Sequence, residues 1–295
     1  MTLLERSSQL VTLDRSTSDA VAGRGQLLLV GGEAGAGKTT LVRHFGRTLP
    51  PTVRLRWGAC DPLSLPRPLG PVIDFAAAVG PDFKRLLDAD APRAQLFAAL
   101  RDILAASTHV LVIEDLHWAD DATLDLMRYL GRRMDTTRSL LVATYRDDEV
   151  RRGHPLQLLL GDLATAAAVQ RMRLPNLTQD GVRTLAAASG VDASELHRRT
   201  GGNPFFVTEV LASGQPSLPP TLRDAVLARA ARLTSSGRRV LDAAAVLGPR
   251  FPLALLAAFD ETDAGFEESL GVGVLVRDGD HAAFRQELSR EAILD

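Results

Sequence analysis

The stretch LLLVGGEAGAGKTTLVRHF, residues 27–45, constrains this chain more than any other. An unbroken aliphatic run leads into a glycine-rich bend, and a helix-forming segment follows at once. Gly32 and Gly37 stand five positions apart with Lys38 and Thr39 next, the G-x-x-x-x-G-K-[ST] spacing whose backbone N–H groups wrap a phosphate. Glycine permits positive φ and close approach of backbone to ligand, and a helix opening at Lys38 points its positive dipole end at the anion. The sequence therefore predicts a phosphate cradle over Gly32, Glu33, Ala34, Gly35, Ala36, Gly37, Lys38, Thr39 and Thr40. Lys38 is expected to reach the β- and γ-phosphates, its side chain facing solvent when no ligand is bound, and the Thr39 hydroxyl to be a Mg2+ ligand. Lys38 and Lys84 are the chain's two lysines against 32 arginines, so a generic cation here would be arginine.

Aliphatic runs at 26–31, 53–57, 109–115, 139–145 and 168–174 read as strands with helices between them. Buried parallel strands are continuous apolar runs, so the pattern predicts an α/β doubly wound parallel sheet over residues 1–175. Ligands in such sheets bind at the carboxyl ends of the strands, where the glycine-rich loop, the acids after Ile113 and Arg146 all fall. From residue 178 the pattern is helical: Thr178 is a candidate N-cap with Gly190 as a stop, and Asn203 caps a helix that opens at Pro204. This segment, 176–214, reads as a helical lid. A proline-rich break spans 215–220. The helices after it, the tight turn RDGD at 277–280 and a last helix predict a winged-helix-like unit over 215–295.

Glu114 and Asp115 close the aliphatic run HVLVIED, directly after Ile113. In a phosphate-loop enzyme one such acid holds Mg2+ and its neighbour polarises an attacking water, and paired acids favour hydrolysis over transfer to another acceptor. Residue type leaves open which acid takes which part. Asp120 or Asp121 caps the next helix. Trp118 reads as packing, and His117 as facing solvent or a backbone partner, since no second histidine stands at metal-ligand spacing. Arg146 either contacts the γ-phosphate or pairs with Asp147 or Asp148. Arg132 and Arg133 read equally as an arginine finger or as an exposed helix end.

Across 295 residues, 45% are hydrophobic and 24% charged, enough to bury a core in two or three packed units. No run approaches the ~20 apolar residues of a membrane span, and the N-terminus lacks the layout of a signal peptide, so a cytoplasmic protein with no membrane partner is expected. Cys60 is the single cysteine, which excludes a disulfide framework and a thiolate metal site. A net charge of -2 excludes a global nucleic-acid footprint.

The segments LLERSSQLVTL, GGEAGAGKTTLVRHF, LVIEDLHWADDATLDLMRYL, LLVATYR, TGGNPFFVTEVL and FRQELSREAILD, in this order, resemble the STAND-type signalling ATPase module of large LuxR-family transcriptional regulators. Related modules occur beside adenylate cyclase and protein kinase domains. The resemblance runs from about Leu4 to Asp295 and implies a P-loop NTPase of the AAA type that binds ATP or ADP with Mg2+. It implies that Glu5 and Arg6 lie near the adenine, that Lys38 and Thr39 bind phosphate and metal, and that Glu114 and Asp115 are the Walker B acids. Arg146 would be the sensor, and the GGNP segment would bring Pro204 against the nucleotide. Self-association in the ATP state is implied as well. In the family's closing motif a histidine reaches bound ADP, and Gln286 stands at that position here. The family's regulators continue into helical repeats and a DNA-binding helix-turn-helix, so DNA contact is expected only through a region outside this chain, which stops within the last winged-helix element.

A nucleotide-dependent switch with slow hydrolysis needs a cradle, acids and a lid, and all three are legible. The alternative is an origin-recognition-like AAA+ ATPase whose winged helix touches DNA through Arg223, Arg229, Arg232, Arg238, Arg239 and Arg250. A small-molecule kinase is disfavoured by the paired acids.

Overall fold

The computed structural model describes residues 3–63, 65, 67–150, 153–214, 218–257 and 263–295. The chain divides into two compact units, Met1–Gly32 with Lys38–Leu174, and Glu33–Gly37 with Pro175–Asp295.

In the first unit five parallel strands, β1 (Gln26–Gly31), β2 (Arg54–Ala59), β3 (His109–Glu114), β4 (Leu140–Tyr145) and β5 (Val169–Arg173), form one sheet in the order β2-β3-β4-β1-β5. Side chains alternate across a strand, and the central strands divide their apolar residues accordingly. Leu27, Leu29, Leu111, Ile113, Leu141 and Ala143 enter one core, whereas Leu28, Val30, Val110, Val112, Leu140 and Val142 enter the other. Helices cover both faces. The first core packs on α3 (Gly70–Val79), α4 (Pro81–Asp88), α5 (Arg93–Ala106), α6 (Asp121–Gly131) and α7 (Pro155–Asp162). The second packs on α1 (Ser7–Val21) and α2 (Lys38–Thr48) through Leu13, Ala20, Leu41, Val42 and Phe45. Burial on both faces is why β1, β3 and β4 read as unbroken apolar runs. β2 and β5 are the edges and carry arginines. β2 runs two residues past the expected end because Gly58 and Ala59 still pair with Ile113 and Glu114.

The second unit holds α8 (Gln179–Ala186), α9 (Ala193–Thr200), α10 (Pro204–Ser213), α11 (Pro220–Ala230), α12 (Ser235–Leu247), α13 (Ala254–Ala257), α14 (Asp263–Gly271) and α15 (Glu287–Leu294). Strands β6 (Arg250–Pro252), β7 (Leu275–Asp278) and β8 (His281–Phe284) make an antiparallel sheet in the order β6-β8-β7. The hairpin at RDGD forms as expected, with Gly279 at φ 63°. Thr178 and Asn203 cap α8 and α10 through their side-chain oxygens, while α8 ends at Ala186, ahead of Gly190. The core here, with Val240, Leu241, Phe251, Phe266, Leu275 and Phe284, draws its buried residues from 230–284 only. Gln215, Pro216 and Ser217 of the proline-rich break lie outside the described residues. No described helix is long and apolar enough to cross a membrane.

Candidate functional site

The carboxyl ends of β1, β3 and β4 gather the chemistry of the first unit. Lys38 opens α2 directly after the glycine-rich loop, and its side chain is buried, with Nζ donating to the Gly32 carbonyl at 2.7 Å. This corrects the expectation of a solvent-facing lysine: the ammonium folds back on the loop's own carbonyl. Burial lowers its pKa, and Asp148 and Asp115 partly oppose that shift.

β3 delivers Glu114 beside α2. Glu114 Oε1 accepts from the Thr39 hydroxyl, and Oε2 accepts from Trp57 Nε1 at 2.9 Å. Residues 75 positions apart in sequence thus meet in one hydrogen bond. Asp115 leaves the strand with φ 53°, a left-handed conformation that aspartate tolerates better than bulkier residues, and its N–H donates to Thr144 Oγ1 of β4 at 3.1 Å. The turn puts the two carboxylates on different partners. Burial raises the pKa of Asp115, against the opposing charges of Arg146 and Lys38.

Arg146 follows β4 and pairs with Glu149 at 2.5 Å, three residues on, whereas Asp147, one of the two partners considered for it, faces Arg173 at 3.1 Å. The Arg146 guanidinium also lies over the Trp118 ring, 4.6 Å from its centroid, so Trp118 does more than fill space. His117 is buried, 3.6 Å from Glu149 Oε2 and 3.9 Å from Asp115 Oδ1, which corrects the solvent reading. No cluster of metal-ligating side chains occurs among the described residues. Asp120 caps α6 through Thr123 N, as expected. Arg133 stacks on Tyr129, 4.2 Å from the ring centroid, which favours the helix-end reading. Arg6 is buried and donates to the Glu5 carbonyl at 3.1 Å.

Loop residues Glu33–Gly37 belong to the second unit. Gly35 and Gly37 have φ of 83° and 91°, and a Cβ on Gly35 would lie 2.7 Å from Asn203 Oδ1. Asn203 Nδ2 donates to the Ala34 carbonyl at 2.9 Å, and Phe205 N, one residue beyond Pro204, donates to the Gly35 carbonyl at 3.2 Å. Within the loop, Ala36 N donates to the Glu33 carbonyl at 3.1 Å. Glu33 meets Arg285 at 2.8 Å, Asn176 Nδ2 at 3.1 Å and Gln286 Nε2 at 3.4 Å. Gln286 is buried and stands immediately before α15. Sequence reasoning missed Asn176 and Arg285 altogether and took Asn203 for a helix cap alone. An asparagine offers two donors besides its capping oxygen, and that spare amide was the available signal.

The donor set of the first unit suits a nucleotide with a hard divalent cation: one lysine, a hydroxyl and a carboxylate already in hydrogen-bond contact, and a second acid next in sequence.

Residues 2–143 match the AAA ATPase domain family. An uncharacterized protein of Rhizobium meliloti (strain 1021) is 26% identical over 320 residues, covering 87% of this chain, and the chain spans 30% of that relative's length. A Walker-type ATPase of Pyrococcus abyssi has a similar structure, with a TM-score of 0.66 at 14% identity over 99% of this chain and 96% of that one. The five-stranded parallel sheet with helices on both faces fits an α/β P-loop NTPase fold. A Signal Transduction ATPase with Numerous Domains from Pyrococcus horikoshii, which carries a tetratricopeptide repeat sensor, is 16% identical with a TM-score of 0.45 over 95% of this chain and 41% of that one.

Proposed function

We propose that this chain is an ATP-binding, slowly hydrolysing switch module of the STAND type, working within a transcriptional regulator. The observation that carries the proposal is the hydrogen bond from Thr39 Oγ1 to Glu114 Oε1 at the end of a phosphate loop. A hydroxyl and a carboxylate held together there are two oxygen ligands suited to one Mg2+. When bound, Mg2+ would supply charge neutralisation of the β- and γ-phosphates.

The chain's own residues take distinct parts. Backbone N–H groups of Gly32–Thr40 hold the phosphates, and Lys38 exchanges the Gly32 carbonyl for phosphate oxygens. Glu114 is the metal acid, because Thr39 is already its partner. Asp115, whose pKa is raised by burial, orients the attacking water and accepts its proton. Arg146 senses the γ-phosphate by leaving Glu149 for it. Arg6 lies by the adenine, with Pro204 and Gln286 on the nucleotide in the closed state, and the 176–214 and 215–295 segments serve as lid and winged helix. Self-association in the ATP state, and contact with DNA through other regions of a longer protein, complete the reading. Direct DNA binding is less favoured, since Arg238 pairs with Asp242 and Arg250 with Asp278.

Fluorescent ATP titrated with and without Mg2+ tests the assignment. Thr39→Val should abolish the Mg2+-dependent gain in affinity, and a gain equal to that of the wild type would refute it.

A further inference from the structure

A carboxylate sits at the second position of the anion cradle. Glu33 is negative, and the phosphates it would neighbour are negative as well. Like charges within ~10 Å in a partly buried loop repel appreciably, so an uncompensated Glu33 would weaken nucleotide binding. Three donors of its own unit are set against it. Arg285 Nη1 lies 2.8 Å from Oε1, while the neutral amides of Asn176 and Gln286 approach Oε2 at 3.1 and 3.4 Å. Of these three, Arg285 alone cancels the charge.

These donors are held in register. Arg285 and Gln286 form the junction between β8 and α15. Asn176 Nδ2 also donates to the Gly201 carbonyl at 3.2 Å, and Gly201, with φ 58°, lies so close that an added Cβ would be 2.9 Å from the Arg285 carbonyl. α15 is tied to α9 by Arg198–Glu287 and by Arg199–Glu291 at 2.7 Å, and to α12 by Arg290 Nε donating to the Ala245 carbonyl at 2.8 Å. Any force on α9, α12 or α15 therefore bears on the Arg285–Glu33 pair.

We propose that Arg285 is a charge-neutralising clamp on the phosphate loop: paired with Glu33 it makes the loop competent for nucleotide, and drawing the β8–α15 junction away bares the Glu33 charge and expels the nucleotide. This rests on the loop being the nucleotide site, as argued above. By reciprocity, a bound nucleotide holds the clamp shut, so α15 reports occupancy to whatever pulls on it.

The test is the Kd for ADP, measured by calorimetry in 0.1 M salt, for wild type, Arg285→Gln, Glu33→Gln and the double variant. Arg285→Gln should weaken ADP about tenfold, the effect of one uncompensated charge near the phosphates. Glu33→Gln should tighten it severalfold and, in the Arg285→Gln background, recover about tenfold. Raising salt to 0.5 M should shrink the Arg285→Gln defect. If Arg285 instead touched phosphate itself, its loss would weaken binding equally with Glu33 intact and with the Glu33→Gln change in place, and equal losses in both backgrounds overturn the proposal. So does wild-type affinity in Arg285→Gln. Arg285→Lys, which keeps the charge, guards against misfolding of the Arg285→Gln variant: it should retain most of the affinity, and a tenfold loss there would show that charge is not the basis. Failure of the wild type to bind ADP would overturn the nucleotide reading as well, whereas tight wild-type binding with no Arg285 effect overturns the clamp alone.

Discussion

Lys38→Met should stabilise the ligand-free protein while destroying its response to nucleotide. Lys38 is 7% exposed, and its ammonium makes a hydrogen bond of 2.7 Å to the Gly32 carbonyl. A charge-assisted hydrogen bond contributes about 1.5–3 kcal/mol, whereas desolvating an ammonium costs several kcal/mol, only partly offset by nearby carboxylates. The lowered pKa of Lys38, caused first by burial, has the sign of that cost. Methionine keeps a stem of similar volume and sheds the charge, so we expect a net gain of about 1 kcal/mol, or about 2–4 °C in melting temperature. ADP at a hundredfold excess over Kd should stabilise the wild type by about 2.7 kcal/mol and the variant by nothing. Thermal denaturation with and without ADP reads both effects. The two proteins should exchange rank: variant higher alone, wild type higher with ADP. A variant that melts lower alone and still gains with ADP would refute both the cost assigned to Lys38 and its contact with phosphate.

Glu114→Gln should remove Mg2+-dependent ATP binding, while Asp115→Asn should leave binding in place and lower hydrolysis by ~10²-fold, as read by titration and phosphate release; the opposite pattern would exchange their parts. Buried His109 has its pKa lowered to about 4, first by burial and then by Arg54 and Arg56. Its ring is neutral in the fold and takes up a proton on unfolding below pH ~6.5, so the stability it contributes is whole above that pH and is lost as pH falls toward 4. Denaturant titrations should show a loss of about 2 kcal/mol between pH 6.5 and 5 that His109→Leu removes; an unchanged acid limb in that variant would clear His109 of it.

The glycine-rich turn from β1 into α2 was legible because it depends on a short, contiguous set of residues, and β1, β3 and β4 because burial on both faces leaves them mostly aliphatic. Strand order was not. Nothing in the aliphatic runs says that β4 lies between β1 and β3, since that follows from non-local pairing such as Leu28 with Val142 and Val110 with Leu140. The burial of Lys38 escaped notice because the motif specifies contact with phosphate and is silent on the Gly32 carbonyl, which the flexible lysine stem reaches by folding back. Glu33 and Arg285 lie 252 positions apart, and no local spacing connects them. Which acid lies beside Thr39 likewise needed geometry: two adjacent acids read alike until the Thr39–Glu114 hydrogen bond is seen.

Calorimetric titration of ATP and ADP into the wild type and Lys38→Ala tests the central claim most directly. Tight binding of both nucleotides to the wild type, and loss of that binding in a variant that remains folded by circular dichroism, is the predicted result. Equal affinity in the two proteins, or no binding by the wild type in the presence of Mg2+, would contradict the account.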